Sequence, residues 1–404
     1  MLRNILFAAP FPSYDVLRFV RALSRLEGIR LLGIFGRSSK EASQLCHDIA
    51  TVDDGTSVRD LLEAVSLLQK KHGKAHRILG INEVLMVQLA QLREHFGVPG
   101  TRVKTATLFR DKADMKNALR KAGLPVAKHA LLTNEREARA FVEEVGFPIV
   151  LKPPAGVGAK STYRIRNVTD LLLALKSMDM RPGAPVLAEE MLRGTEHSFE
   201  TITIAGEPRA MSFADYQPGC LEVLENPWIQ WACVLPRETK RASYEKAQAA
   251  GIAAIHALGL DDGMTHMEWF ARSDGSIAIG EIAQRPPGPQ LCQMTGLVND
   301  IDIYRAWARA VVDGELDTPW KRQYAAGTAY LRGMGQGKVT SIRGVREAQE
   351  LLGDHLVEAK LPDVGKVKNE SYEGDGYVVV RHTSTAKVKE LIKGAIETIK
   401  IHYA

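Results

Sequence analysis

The first hundred residues alternate short apolar runs with amphipathic ones, and that alternation restricts the chain more than any other feature. Residues 4–8, 30–35 and 77–81 have the compact apolar character of buried strands. Residues 16–26, 57–72 and 83–94 instead repeat apolar side chains at helical spacing. Strand and helix in turn imply a parallel sheet covered by helices. No GxGxxG follows the first strand, so a dinucleotide site is not indicated there. The opening MLRNILFAAPFPSYD resembles a signal peptide only superficially: its apolar stretch is short, and Pro10 and Pro12 follow at once, as after a buried first strand. A cytoplasmic protein is the expectation. No apolar run reaches the roughly 18 residues of a membrane span, so no membrane association is expected.

Length and composition narrow the class further. A chain of 404 residues has room for two or three domains. Its four cysteines (Cys46, Cys220, Cys233, Cys292) are scattered without a CxxC pair, which argues against zinc and disulfides. Cys292 reads as a buried free thiol. The net charge of +5 is unclustered, suits anionic small molecules and gives no reason to expect nucleic acid.

Beyond residue 100 the reading continues with a charged helix over 107–122, ended by Gly123 and Pro125, and a second helix over 134–144 with Thr133 as its N-cap. FPIVLKPP, residues 147–154, is a buried strand carrying one lysine, followed by the loop AGVGAKST. A strand and a helix over 168–177 lead to the PGAP boundary at 182–185. Strands VLAEEML and HSFETITIAG, helices over 244–258 and 301–313, and a small α/β tail over 320–404 complete the pass.

HMEWFARSDGSIAIGEIAQRPPG, residues 266–288, reads as a hairpin turning at Asp274-Gly275. A two-residue type I′ turn pairs Ser273 with Ser276 and sets Glu268 directly opposite Glu281, and His266 opposite Ala283. Opposed side chains stand about 4.5–5.5 Å apart at Cβ, and like charges there repel. A bound cation would remove the penalty; a hairpin whose carboxylates point into water is the other reading.

Lys152 ends an apolar strand, where a lysine is costly to desolvate unless an anion meets it. The loop behind it, with Gly156, Gly158, Lys160 and Ser161, can present backbone N–H groups to phosphate oxygens. Taken alone it is equally well a simple turn, and GxxxxGK[ST] is absent. Arg285, just before PPG, has the fork that grips carboxylate or phosphoryl oxygens in two places.

In this order the motifs resemble the ATP-grasp superfamily, and within it the carboxylate–amine ligases. RDKADMKNALRKAGLPV is similar to the helix that opens the ATP-grasp region, and Lys112 matches its phosphate-contacting lysine. FPIVLKPPAGVGAKS resembles the following lysine strand and phosphate-covering loop, with Lys152 the matching lysine. LAEEMLRGTEHSFE is similar to the segment joining the two halves of the fold. The resemblance there places Glu189, with Glu190 beside it, near the adenine amino group, the Leu192 backbone at the base, and Glu196 on the ribose hydroxyls. Glu268 and Glu281 match the two magnesium carboxylates. The family pattern E-x-N-x-R is broken, because EIAQR has Ala283 where the asparagine stands. Gln284 should point to the opposite face by strand alternation. His266 could fill the missing space or bind an anion, or be satisfied structurally. Magnesium needs few protein ligands, so the loss need not abolish metal binding.

The fold so implied is α/β (α+β). An N-terminal Rossmann-like parallel-sheet domain (1–105) precedes two ATP-grasp subdomains (106–185 and 186–315) and a small C-terminal α/β lid (316–404). The implied activity is ATP-dependent amide bond formation through an acyl phosphate, with ATP and Mg2+ (or Mn2+) bound. Small carboxylate and amine substrates are expected, and a homodimer is the expected assembly. Arg285 and His266 are the candidate catalytic residues. The stretch HMEWF…GEI…RPPG looks most like L-amino-acid ligases. Two other readings stand beside this one: a bicarbonate-activating carboxylase-type enzyme, and a nucleotide-binding module that has lost catalysis.

Overall fold

The computed structural model describes residues 2–156, 161–226, 228–369, 371 and 373–404. The N-terminal alternation builds a four-stranded parallel sheet from β1 (Arg3–Ala9), β2 (Ile29–Phe35), β3 (Asp48–Thr51) and β4 (Ala75–Leu79), in the order β3-β2-β1-β4. Helices cover both faces. Val16, Val20 and Leu23 pack against Ile5 and Phe7 on one side; Leu61, Val65 and Leu89 pack against Leu6 and Ile34 on the other. Burial on both faces is why these strands read as continuous apolar runs.

The next sheet is antiparallel, with the order β5-β8-β6-β7: β5 is His129–Leu132, β6 Ile149–Lys152, β7 Tyr163–Ile165 and β8 Val186–Glu190. Two helices, Glu135–Val145 and Val168–Ser177, lie on one face and bury Phe141, Leu171 and Leu175 against Ile149 and Leu151. Strand alternation then sends Val150 and Lys152 to the opposite face, toward a cavity.

Beyond it lies an eight-stranded antiparallel sheet. Its strands are β9 (Thr195–Ile204), β10 (Glu207–Gln217), β11 (Trp231–Leu235), β12 (Gly263–Ala271), β13 (Ile277–Ala283) and β14 (Ala325–Leu331). After β15 (Val339–Arg343), two more strands join it, β16 (Leu356–Lys360) and β17 (Gly376–His382). The order is β13-β12-β9-β10-β11-β14-β17-β16, and β15 pairs separately with β18 (Lys400–Tyr403). The C-terminal segment therefore extends the sheet that carries the carboxylate hairpin. No helix among the described residues is long and apolar enough to cross a membrane.

Two helix expectations are corrected. The helix expected over 107–122 is two helices, Val103–Arg110 and Lys112–Lys121, broken at Asp111. Asp111 leaves helical geometry, and its carboxylate accepts hydrogen bonds from Ala113 N (2.9 Å) and Asp114 N (3.0 Å), which makes it an N-cap. The second correction moves a cap by one residue. Asn134, not Thr133, caps the helix Glu135–Val145 by accepting from Glu137 N at 3.0 Å, while Glu137 accepts from Thr133 N at 2.7 Å.

Asp215 ties this large sheet to the helix Ala242–Leu258 and is 5% exposed. His197 Nδ1 lies 2.8 Å from Oδ1, the Tyr244 hydroxyl donates to the same oxygen, and Arg241 Nη1 lies 3.4 Å from Oδ2. Burial pushes the carboxyl pKa up, but these partners outweigh it and the net shift is downward. Asp215→Ala should cost about 3–5 kcal/mol, the usual result of stranding buried charge and hydrogen-bond donors. Because the folded pKa is depressed, the carboxylate's contribution is present above the unfolded value of about 3.9 and is lost as pH falls below it. Denaturation of wild type and variant should therefore differ clearly at neutral pH and converge in acid.

Candidate active site

The paired strands β12 and β13 set Glu268 opposite Glu281 and His266 opposite Ala283, as the sequence predicts, but by another route. The turn is not a two-residue one. Arg272 N donates to Ser276 O (2.9 Å) and Gly275 N to Arg272 O (3.0 Å), leaving a three-residue loop with Gly275 at φ +77°. A type I turn followed by a left-handed glycine suits this loop length. Next to the loop, Trp269 pairs with Ile279, so an unbroken ladder would set Glu268 against Gly280. A bulge at Gly280 shifts the register by one and brings Glu281 to the cavity face. The extra loop residue and the bulge compensate each other.

The two carboxylates then part toward different cations. Glu281 Oε1 lies 2.9 Å from Lys112 Nζ, whereas Glu268 Oε1 lies 3.6 Å from His266 Nε2. Repulsion between them is thus answered inside the protein. Burial would raise the Glu281 pKa, but Lys112 and Lys152 hold it down at about 2. The crowded acids are Glu268 and Glu196 instead. Ligand atoms of Glu196, Cys220 and Glu268 all lie within 4.8 Å of one another, and Glu196 Oε2 accepts from Cys220 N at 2.7 Å. Burial first, and then Glu268, push the Glu196 carboxyl up to about 8.

Lys112 is the first residue of its helix, aimed inward by the Asp111 cap, and Lys116 follows one turn later on the same side. Glu189 lies between two lysines. Its Oε2 is 2.9 Å from Lys152 Nζ, and its Oε1 is 3.3 Å from Lys116 Nζ, close but outside hydrogen-bond geometry. The position expected beside an adenine amino group is therefore an ion cluster, because both carboxylate oxygens face ammonium groups. Glu190 also lines the cavity, and its Oε1 accepts from Lys128 N at 3.0 Å.

His266 is 6% exposed, with Nδ1 3.0 Å from Oε1 of Glu200, itself 2% exposed. Burial disfavours the imidazolium, but Glu200 and then Glu268 more than compensate and hold its pKa up at about 9. Arg285 Nε lies 2.7 Å from Glu83 Oε2, and Arg285 Nη1 donates to Pro286 O at 3.0 Å. Arg110 donates to the carbonyls of Ala155 (2.7 Å) and Gly156 (3.0 Å), and Lys112 N donates to Pro154 O (3.0 Å). The start of the glycine loop is thus docked through its carbonyl groups. Gln284 turns away, as alternation predicts, and donates to Thr101 Oγ1 at 2.6 Å.

A cavity of about 630 Å³ brings together Lys112, Lys152, Gly156, Glu189, Glu190, Leu192, Glu196, His266, Glu268, Glu281 and Arg285. Ser161 is not on its wall; it is exposed, at φ +57°, and Thr162 lines the cavity in its place. Gly158 lies outside the described residues. Sequence reasoning missed Glu83, Arg110, Lys116 and Glu200, and also the aromatic wall of Tyr216, Trp231 and Tyr330, in which Trp231 and Tyr330 stack at 4.3 Å. Three of them carry a local signal: Lys116 stands four residues from Lys112 on one helix, Arg110 two residues before Lys112, and Glu200 four residues from Glu196 on one strand. The others are joined to the site by chain reversals that no local pattern encodes.

The chain has relatives both in sequence and in fold. The chain is 27% identical over 366 residues to an uncharacterized protein of Sinorhizobium fredii, covering 87% of this chain and 73% of that protein. It is 26% identical over 260 residues to the L-arginine-specific L-amino acid ligase of Bacillus subtilis, covering 63% of this chain and 62% of that enzyme's length. In fold it is similar to a crystal structure of an L-amino acid ligase from Bacillus licheniformis, with a TM-score of 0.82 at 16% identity over 100% of this chain and 99% of that one. A family model describing the ATP-grasp domain matches residues 117–288. That span carries Lys152, Glu189, Glu196, the Glu268–Glu281 hairpin and Arg285, so this part of the chain is similar in sequence to ATP-grasp domains, and the whole chain is similar in fold to an L-amino acid ligase.

Proposed function

We propose that the protein is an ATP-dependent carboxylate–amine ligase that joins an amino acid to an amine through an acyl phosphate, releasing ADP and phosphate. One observation carries the reading: Lys112, Lys152, Arg285 and the opposed Glu268 and Glu281 converge on one cavity from distant parts of the chain. Three cations at one end suit a polyphosphate. The names of the ligase relatives support amide bond formation with an amino acid, and the aromatic wall is the surface that would shape that substrate's pocket.

Glu268 and Glu281 fit a divalent metal. They are hard oxygen donors on one wall, and a cation beside Glu268 would relieve its crowding with Glu196. Magnesium, or manganese in its place, would offset charge on phosphate oxygens during transfer. Ala283 supplies no ligand atom. In the reading proposed here, Lys112 and Lys152 hold the phosphates while the substrate carboxylate attacks the terminal phosphorus. Arg285, fixed by Glu83, faces charge developing on the transferring group. His266, protonated between Glu200 and Glu268, adds its positive charge to that of Arg285. The amine then attacks the acyl carbon and phosphate leaves. Closure of the cavity would keep water from the acyl phosphate.

A carboxylate labelled with heavy oxygen tests this path. One labelled atom should appear in the released phosphate for each amide formed, because the acid oxygen attacks phosphorus. Label in AMP would overturn the mechanism, and ADP formed without added acid would identify a plain ATPase. Phosphate release driven by bicarbonate and not by amino acids would overturn the choice of substrate.

A further inference from the structure

Lys116 is fully buried at 0% exposed, does not line the cavity, and still touches two groups that shape its cationic end. Its Nζ lies 3.3 Å from Glu189 Oε1, while Lys152 Nζ holds Glu189 Oε2 at 2.9 Å. The same ammonium group donates to the carbonyl of Gly280, the bulge residue that turns Glu281 toward Glu268. Lys112, one turn earlier, reaches the cavity; Lys116 does not. Burial lowers the Lys116 pKa, and Glu189 acts against it. A buried ammonium that cannot reach a ligand must act on its neighbours.

Those neighbours set a problem for ligand binding. In this structure Lys152 is paired with Glu189, and that pairing competes with any phosphate for the same ammonium group. Pulling Lys152 away would strand a buried carboxylate, which is strongly disfavoured unless another cation remains beside it. Lys116 is that cation. It lies against the other oxygen and cannot follow a ligand into the cavity.

We infer that Lys116 is a positioning residue that serves as the resident counter-ion of Glu189, so that Lys152 can turn from Glu189 to an incoming polyphosphate. The inference rests on the nucleotide reading of the cavity proposed above. Its contact with Gly280 O ties the same group to the bulge, so the lysine and carboxylate sides of the site are set from one buried point.

Calorimetric titration of ADP and of adenosine, in magnesium buffer, tests the inference on wild type, Lys116→Met and the double variant Lys116→Met/Glu189→Gln. Lys116→Met should bind ADP at least about tenfold more weakly, since a charge-assisted contact to phosphate is held back, with adenosine binding unchanged. The double variant should return to within about threefold of wild type, because a neutral residue at 189 no longer holds Lys152. A role in packing alone would weaken ADP and adenosine together and would not be rescued by the second change. Wild-type ADP affinity in Lys116→Met, or a double variant as weak as the single one, overturns the inference. If Lys116→Met does not fold, the double variant decides the matter, since removing both members of a buried charge pair is tolerated. Near-wild-type ADP binding by it supports the inference, and lost ADP binding with adenosine retained overturns it. Wild-type protein that binds no ADP overturns the nucleotide reading itself, a result distinct from a loss confined to the variant.

Discussion

Glu281→Gln is expected to lower turnover by roughly 10²–10³-fold, the range seen when one electrostatic contact to a transition state is removed. Glutamine keeps the shape and one acceptor oxygen but loses the charge that a divalent cation requires. Glu281 is held at about 2 by its lysines, so it is ionised throughout the working pH range. That depressed value also predicts a stability cost. The pairing with Lys112 contributes above the unfolded glutamate value of about 4.3 and fades as pH falls toward the folded one. Glu281→Gln leaves Lys112, 7% exposed, without its nearest carboxylate, and should lower the melting temperature at neutral pH. Glu268→Gln should differ: turnover falls similarly, yet relief of the crowding with Glu196 keeps stability unchanged or raises it. Phosphate release and melting curves on both variants separate the two effects. Either variant turning over normally at limiting magnesium would remove its residue from the proposed metal site.

Arg285→Lys should slow phosphoryl transfer by about 10²-fold or more while weakening nucleotide binding much less. The guanidinium is oriented by Glu83 at 2.7 Å and by the Pro286 carbonyl at 3.0 Å, and the side chain also lines the cavity. A planar fork can hold the N-terminal domain on one edge and face a ligand with the rest; a single ammonium group cannot do both. Single-turnover measurement of ADP formation gives the rate, and titration with ADP gives the affinity. Equal losses in rate and affinity would recast Arg285 as a binding residue. Glu83→Gln, which keeps a hydrogen-bond acceptor and loses the charge, should fall between wild type and Arg285→Lys.

Much of the site was legible because its residues belong to short segments that carry their own periodicity. β6 buries alternate residues, so Lys152 had to emerge on the face opposite Ile149 and Leu151. Gln284 was placed on the far side by the same rule, and it is there. The helix break at Asp111 is hidden in the sequence although Asp is a strong N-cap, because the apolar pattern continues through it. The hairpin is more instructive. A two-residue turn is one residue too short and leaves out the bulge, and it gives the right register at Glu268 and Glu281 only because these two displacements cancel. A turn type constrains pairing only until the first bulge.

The sequence by itself determined the strand and helix periods, the parallel N-terminal sheet and the order of the charged motifs. Each of these depends on interactions among residues a few positions apart. Which charge answers which was decided only by the tertiary structure. Glu281 is matched to Lys112, Lys152 to Glu189, Arg285 to Glu83 and His266 to Glu200, across separations that reach 202 residues. Coulomb attraction depends on distance in space and on the water excluded between the partners. Neither quantity exists until the sheets have packed and closed the cavity around these side chains.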